Sequence, residues 1–215
     1  PKRFAPRGML SAISGAKSQL IDVDTFGARR ETPFDELVHR VYERYDQLMR
    51  QSSALDFDDM LFKTYFLFDE FPEVAAKFQN RFTHLMVDEF QDTNIAQYAI
   101  AKQLAADHRN LCVVGDPDQS IYSWRNADIR NILSFQHDFP EAKVVALEEN
   151  YRSTQTILTA ARALIQPNEQ RVDKDLWTNN GKGVPIVVHE AYNEREEAQY
   201  VIRELEGLVK SGQCT

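Results

Sequence analysis

An α/β fold with a mostly parallel sheet, preceded by a helical segment, is predicted by three features of this 215-residue sequence. From residue 84 onward, short apolar runs alternate with amphipathic stretches, the pattern of strand and returning helix. Two of those runs, Leu85-Met86-Val87 and residues 111–114, end abruptly in carboxylates. Residues 1–55, by contrast, hold no strand pattern, only apolar positions at helical spacing.

Composition is that of an ordinary globular protein, 43% hydrophobic and 27% charged. No apolar stretch approaches the roughly 18 residues of a membrane span, and the start lacks a signal-peptide core. Two cysteines, Cys112 in a predicted buried strand and Cys214 near the end, make no disulfide framework. A reducing, cytoplasmic setting without a membrane partner is expected. The net charge of -8 argues against a protein that coats nucleic acid generally. Residues 1–55 carry nine Lys and Arg against seven Asp and Glu, so the acidic excess lies in the remainder. Any nucleic-acid contact is therefore expected to be local and partly non-ionic. The chain opens on Pro1 rather than Met and stops just after a helix-like segment, so a piece of a longer protein is expected.

Taken in order, Met9, Leu10, Ile13, Ala16 and Leu20 fall on one helical stripe, and Phe34, Leu37, Val38, Val41, Tyr45 and Leu48 on a second. Pro33 suits the first turn of that second helix, and residues 22–32 are expected to be a loop. Lys2, Arg3, Arg7, Lys17, Arg29 and Arg30 could touch phosphates, but charges on such helices ordinarily form the solvated face, and that is the expectation. Ser53 or Asp56 is expected to cap a third helix, with acidic residues in the first turn favoured by the helix dipole. Asp56, Asp58 and Asp59 invite a metal-site reading. With no His or Glu at ligand spacing, capping and solvent exposure explain them better. Pro72 starts a short helix reaching Arg81.

The runs at 85–87 and 111–114 are uninterrupted enough to suit strands buried on both faces. Residues 95–105 read as the helix returning between them, and 127–139 as another, ended by Pro140. A third strand is expected at 143–147 and a fourth at 184–190, with helices at 153–165 and 194–210. Ser153 or Thr154 should cap the first of these helices, and Asn179-Asn180-Gly181 signals a turn. The Pro140-Glu141-Ala142 corner is a plausible hinge between two α/β units.

In parallel sheets, functional groups collect at the carboxyl ends of the strands. Asp88 and Glu89 stand at such an end, where their charge escapes burial and faces a cleft. One carboxylate can hold Mg²⁺ while its neighbour orients or deprotonates water. After the second strand, Gly115 allows a sharp turn, and the Gln119 amide can sense a phosphate oxygen or a water. Tyr122 and Trp124 would face the same side of an extended chain. Their flanks, Ser120, Ser123, Arg125 and Asn126, are polar, which favours a base-stacking platform worth about 1–3 kcal/mol per base over a pair of core aromatics.

The strings VDEFQDTN, VVGDPDQSIYSWRNAD and LEENYRST resemble motifs II, III and IV of superfamily 1 DNA helicases of the UvrD/PcrA/Rep type. ISGAKSQL, LDFDDML and the WTNNGKG…EAQYV region extend the resemblance over essentially the whole chain. It implies a RecA-like parallel sheet with flanking helices: a helical 1B-like segment at 1–55, the second part of a 1A-like motor domain at 56–142, and the first part of a 2A-like one at 143–215. It also implies ATP and Mg²⁺ as cofactors, with single-stranded DNA and single/double-strand junctions as partners, alongside repair or replication proteins. By the same resemblance Asp88 binds the metal, Glu89 activates water and Gln119 reads the γ-phosphate and couples it to the DNA groove. Tyr122, Trp124 and Arg125 contact DNA, Tyr151 packs on the adenine, and Arg152 is an arginine finger from the second motor domain. One departure matters. No G-x-x-x-x-G-K-[ST] occurs anywhere, so these residues hold half an ATP site and are expected to be inactive alone. The competing expectation is a non-catalytic DNA- or partner-binding module that kept the fold and lost hydrolysis.

Overall fold

The computed structural model describes residues 5–168 and 174–213, which fall into two compact units, one up to residue 144 and one from residue 145. No described helix is long and apolar enough to cross a membrane.

The first unit begins with α1 (Pro6–Ser18), α2 (Val23–Ala28) and α3 (Pro33–Gln51). Met9, Ile13 and Ala16 from α1 and Val38 and Tyr42 from α3 are buried together, as the apolar spacing predicts. Burying the Met9, Ile13 and Val38 side chains contributes about 1.5–3 kcal/mol each. Thr32 and Asp35 form a reciprocal capping box at the start of α3. The expected loop at 22–32 contains a helix instead, because Asp22 accepts the Thr25 N–H at 2.7 Å and so nucleates α2. Leu20 lies past the end of α1 rather than on it. Its φ of 59° reverses the chain, and the Ile21 N–H returns to the Ala16 carbonyl at 2.9 Å.

Three further helices follow: α4 (Phe57–Glu70), α5 (Pro72–Arg81) and α6 (Ile95–Ala105). Asp56 caps α4 in a box with Asp59, as expected, but Asp59 is buried rather than solvated. Lys17, read from sequence as surface charge, is 2% exposed. Its ammonium lies 2.7 Å from Asp56 and 2.9 Å from Asp59, and the Tyr45 hydroxyl also donates to Asp56 at 2.7 Å. A charge survives burial only when paired and hydrogen-bonded, and here α1 is locked to α4 by that requirement.

Strands β1 (Leu85–Val87) and β2 (Leu111–Val113) pair in parallel, with Leu85, Met86 and Val87 opposite Leu111, Cys112 and Val113. One face packs on Phe90, Tyr98, Phe135 and Phe139. The other is open, contrary to the expectation of burial on both sides: Met86 is 77% exposed and Cys112 is exposed. The helix expected at 127–139 is split into α7 (Arg130–Leu133) and α8 (Phe135–Asp138). At the break, the Ser134 hydroxyl donates back to the Arg130 carbonyl at 2.5 Å and competes with the helical ladder.

The second unit holds α9 (Gln155–Ile165) and α10 (Glu194–Lys210). The strands expected at 143–147 and 184–190 are not formed. Val144, Val145, Leu147, Ile186, Val187 and Val188 are exposed, and no ladder partner flanks either segment among the described residues. A strand exists only through its neighbour, so an apolar run alone does not make one. A single bridge, Glu149 to Trp177, stands in their place. Neither Ser153 nor Thr154 caps α9 with its side chain. Instead, the Gln155 and Thr156 N–H groups reach the carbonyls of Gly181 and Lys182 at 3.0 and 3.1 Å.

Replacing Lys17 by Met should lower the unfolding free energy by about 3–5 kcal/mol, because two carboxylates lose their buried cation. Urea unfolding measures this, and a loss under about 1 kcal/mol would contradict the buried cluster. Burial pushes the Asp56 carboxyl up, but its hydrogen bonds from Lys17 and Tyr45 prevail and hold it below the usual carboxylate range. A carboxyl held low adds stability above its unfolded-state pKa and loses it as pH falls through the folded value. The contribution of the cluster should therefore persist at neutral pH and vanish only below about pH 4.

Candidate functional site

Asp88 and Glu89 leave β1 at its carboxyl end, both exposed, with the Asp88 side chain accepting the Glu89 N–H at 2.9 Å. Glu89 is left-handed, with φ 49° and ψ 42°, a conformation that costs a non-glycine residue about 1–3 kcal/mol. The next residues hold it there. Phe90–Asp92 forms a 3-10 turn, and Phe90 is fully buried, edge-on to Tyr98 and Phe135 with ring centroids 5.1 and 5.6 Å away. The Phe90 N–H donates to the Val114 carbonyl at 2.9 Å, which carries the β1–β2 register into the loop.

Gln91, which sequence reasoning passed over, is 1% exposed. Its amide donates to Glu89 Oε2 at 2.9 Å and Asp92 Oδ2 at 3.2 Å, while its oxygen accepts the Asp116 N–H at 3.0 Å. Two carboxylates on one side and an N–H on the other leave a single sensible orientation for that amide. Asp116 in turn caps the 3-10 turn Pro117–Gln119 and accepts from Gln119 Nε2 at 2.8 Å. Gly115 is needed for close approach here. A Cβ there would meet Gln91 Oε1 at 2.7 Å, Ile132 Cδ1 at 3.0 Å and the Phe90 nitrogen at 3.1 Å.

Tyr122 and Trp124 are not on an extended chain, since Ser123–Arg125 is a 3-10 turn. The rings nonetheless lie side by side, centroids 5.9 Å apart, and Trp124 is not buried in the core but 71% exposed. The Arg125 guanidinium lies 4.6 Å from the Trp124 centroid and 5.5 Å from that of Tyr122. Asn126, left-handed with φ 65°, donates to Ser18 of α1 at 3.2 Å and so pins the turn to the helical core. The Asp128 backbone N–H and the Asn131 side-chain amide both donate to the Thr93 carbonyl, at 2.9 and 3.0 Å, which ties the aromatic segment to the carboxylate loop.

In the second unit Tyr151 and Arg152 are exposed on the loop before α9. Tyr151 donates to Glu149 at 2.7 Å, and that bond raises its phenol pKa. Asn150 accepts the N–H groups of Arg152 and Ser153 at 3.0 and 2.7 Å, and Asn180 donates to the Tyr151 carbonyl at 2.8 Å. The Asn179-Asn180 turn thus holds the loop that presents both side chains, a role the turn signal did not reveal.

Asp88, Glu89, Asp92 and Tyr98 help line a cleft of about 390 Å³. Among the described residues, no group of three or more His, Cys, Asp or Glu is set to enclose a metal ion. Mg²⁺ needs no such cage, taking one or two carboxylates plus phosphates and water. The exposed carboxylates of Asp88 and Glu89 offer oxygen ligands of the kind a hard cation takes.

Residues 1–140 match the family model for the UvrD/REP helicase N-terminal domain, and residues 145–214 that for the UvrD-like helicase C-terminal domain. The chain is 47% identical over 211 residues to the ATP-dependent DNA helicase PcrA of Staphylococcus epidermidis, covering 98% of this chain and 29% of that protein. For PcrA of Bacillus subtilis the identity is 47% over 212 residues, covering 99% and 29%. For PcrA of Staphylococcus aureus it is 48% over 204 residues, covering 95% and 28%. The chain therefore spans less than a third of the length of these relatives.

Gly115→Ala should destabilise the chain by about 1–3 kcal/mol, the usual cost of overpacking, by forcing Gln91 away from Asp116. A urea midpoint equal to that of the wild type would show that the loop has room the geometry denies it.

Proposed function

The chain belongs to the UvrD/Rep helicase family, and from that premise we propose that it is a section of an ATP-dependent DNA helicase moving 3′→5′ on single-stranded DNA. Residues 1–55 would be its 1B-like segment, 56–142 the second part of a 1A-like motor domain and 143–215 the first part of a 2A-like one. The observation that carries the reading is the Asp88-Glu89 pair at the end of a parallel strand, hydrogen-bonded through Gln91 to the loop that bears Gln119.

In this reading Asp88 holds Mg²⁺, whose charge would offset that of the ATP phosphates. Glu89 takes a proton from the attacking water, and Gln119 presents a neutral amide to the γ-phosphate. Arg152 and Tyr151 are assigned by the motif they match, as arginine finger and adenine contact. Tyr122 and Trp124 stack on bases, and Arg125 adds a cation beside them. Their exposure supports this, since a platform must be reachable. The phosphate-cradling loop is supplied from outside these residues, so the 215 residues alone should not turn over ATP. Single/double-strand junctions and repair or replication proteins are the proposed partners, in the cytoplasm.

Three measurements test this. On the 215-residue chain, ATP turnover with single-stranded DNA should be undetectable. Turnover abolished by Glu89→Gln would overturn the incomplete-site reading. In the full-length protein, Glu89→Gln should cut hydrolysis by about 10²–10⁴-fold while nucleotide still binds, since the amide keeps shape and loses the base. Retention of more than roughly a tenth of the turnover would sink the assignment of Glu89. Trp124→Ala in the same protein should weaken single-strand binding by about 1–3 kcal/mol with little change in salt dependence, because stacking releases no counterions. An unchanged affinity with a collapsed melting temperature would make Trp124 structural.

A further inference from the structure

Between the carboxylate loop and the sensing loop stands one buried side chain. Gln91 donates both its amide hydrogens to acids, Glu89 at 2.9 Å and Asp92 at 3.2 Å, and accepts from the Asp116 backbone at 3.0 Å. Its own carbonyl receives the Ser120 hydroxyl at 3.3 Å, so both its main chain and its side chain meet residues 116–120. Asp116 then accepts from Gln119. Burial leaves the Gln91 amide no water to exchange with, so losing one partner would strand a polar group at a cost a surface glutamine does not face.

We infer that Gln91 is the positioning residue that couples the Glu89 carboxylate to the Asp116–Gln119 loop, so that the base and the phosphate-sensing amide move as one. The inference rests on the proposed roles of Glu89 and Gln119, but its geometry does not. Three features make Gln91 suited to the task. It is rigid, because Phe90 anchors the preceding residue in the core. It is irreplaceable by its isostere, because glutamate would set a third carboxylate against Glu89 and Asp92. It sits tight against the second strand, because a Cβ at 115 would come within 2.7 Å of its Oε1. The left-handed backbone at Glu89 adds a reason for such a hold: a strained residue relaxes unless its surroundings over-determine it.

The coupling is read first without any variant. In the wild-type 215-residue chain, the Gln91 side-chain amide protons should exchange with solvent far more slowly in NMR than those of exposed glutamines. Exchange at the free-amide rate would overturn the inference. Gln91→Glu keeps the acceptor for Asp116 and should leave the Asp116 amide resonance near its wild-type position. Gln91→Met removes the acceptor and should shift that resonance upfield. In the full-length protein, both variants should lower kcat for ATP by about 10–100-fold with KM changed less than about threefold. Gln91→Met combined with Gln119→Ala should lose less than the product of the two single losses. A wild-type kcat in both Gln91 variants, or strictly multiplicative losses, would refute the coupling. Glu89→Gln is the control that separates the two ideas. If it stays active, the role of Glu89 is wrong; if it is silent while the Gln91 variants are not, only the coupling falls.

Discussion

The Lys17 ammonium has to be neutralised where water cannot reach it, and much of the first unit follows from how that is done. Asp56 and Asp59 answer the charge, and because both also cap α4, the ion cluster sets where that helix begins. One residue along α1, Ser18 receives Asn126 from the aromatic turn. A single helix thus bears on a buried charge on one side and on the Trp124 segment on the other. Replacing the cluster with apolar residues could be neutral for stability, as it often is for buried ion pairs. What such residues would lack is the directionality that fixes α4 against α1.

The two units present the side chains proposed to act by a similar economy. Neither Glu89 nor Arg152 sits on regular structure. Each lies on a short loop tied by amide side chains: Gln91 donates to the Glu89 and Asp92 carboxylates in the first unit, while Asn150 and Asn180 meet the loop backbone in the second. Amides suit this because they donate and accept at once and stay neutral beside shifting charge. The scaffold that presents the exposed groups thus adds no charge of its own beside them.

Local signals in the sequence were legible. The helical stripes, Pro33 in the first turn of α3, the cap at Asp56, and the two strands that lead to Asp88 and Gly115 can all be read from neighbours a few residues apart. What failed was whatever depends on a distant partner. Lys17 looks like surface charge until Asp56, 39 positions on, closes over it. Gln91 is one polar letter among several, since its acceptor role requires Asp116, 25 positions on. The runs at 143–147 and 184–190 have strand composition, but composition does not supply a neighbour to pair with. Met86 and Cys112 have the apolar character of buried strand residues and sit on the open face of the sheet. Sequence periodicity says which side chains share a face and not whether anything covers it.

The left-handed turn at Glu89 has a bearing on how this protein tolerates engineering. Glycine would adopt that backbone freely, so a search that ranks residues by folding energy alone would favour Gly at position 89. It would be rewarded for deleting the proposed base. The same search would find Gly115 correct and Gln91 an expendable buried polar residue. Under the proposed roles, a stabilised variant chosen that way would fold better and lose the site, so residues 88–92 and 115–119 would be held fixed before the rest of the chain is optimised.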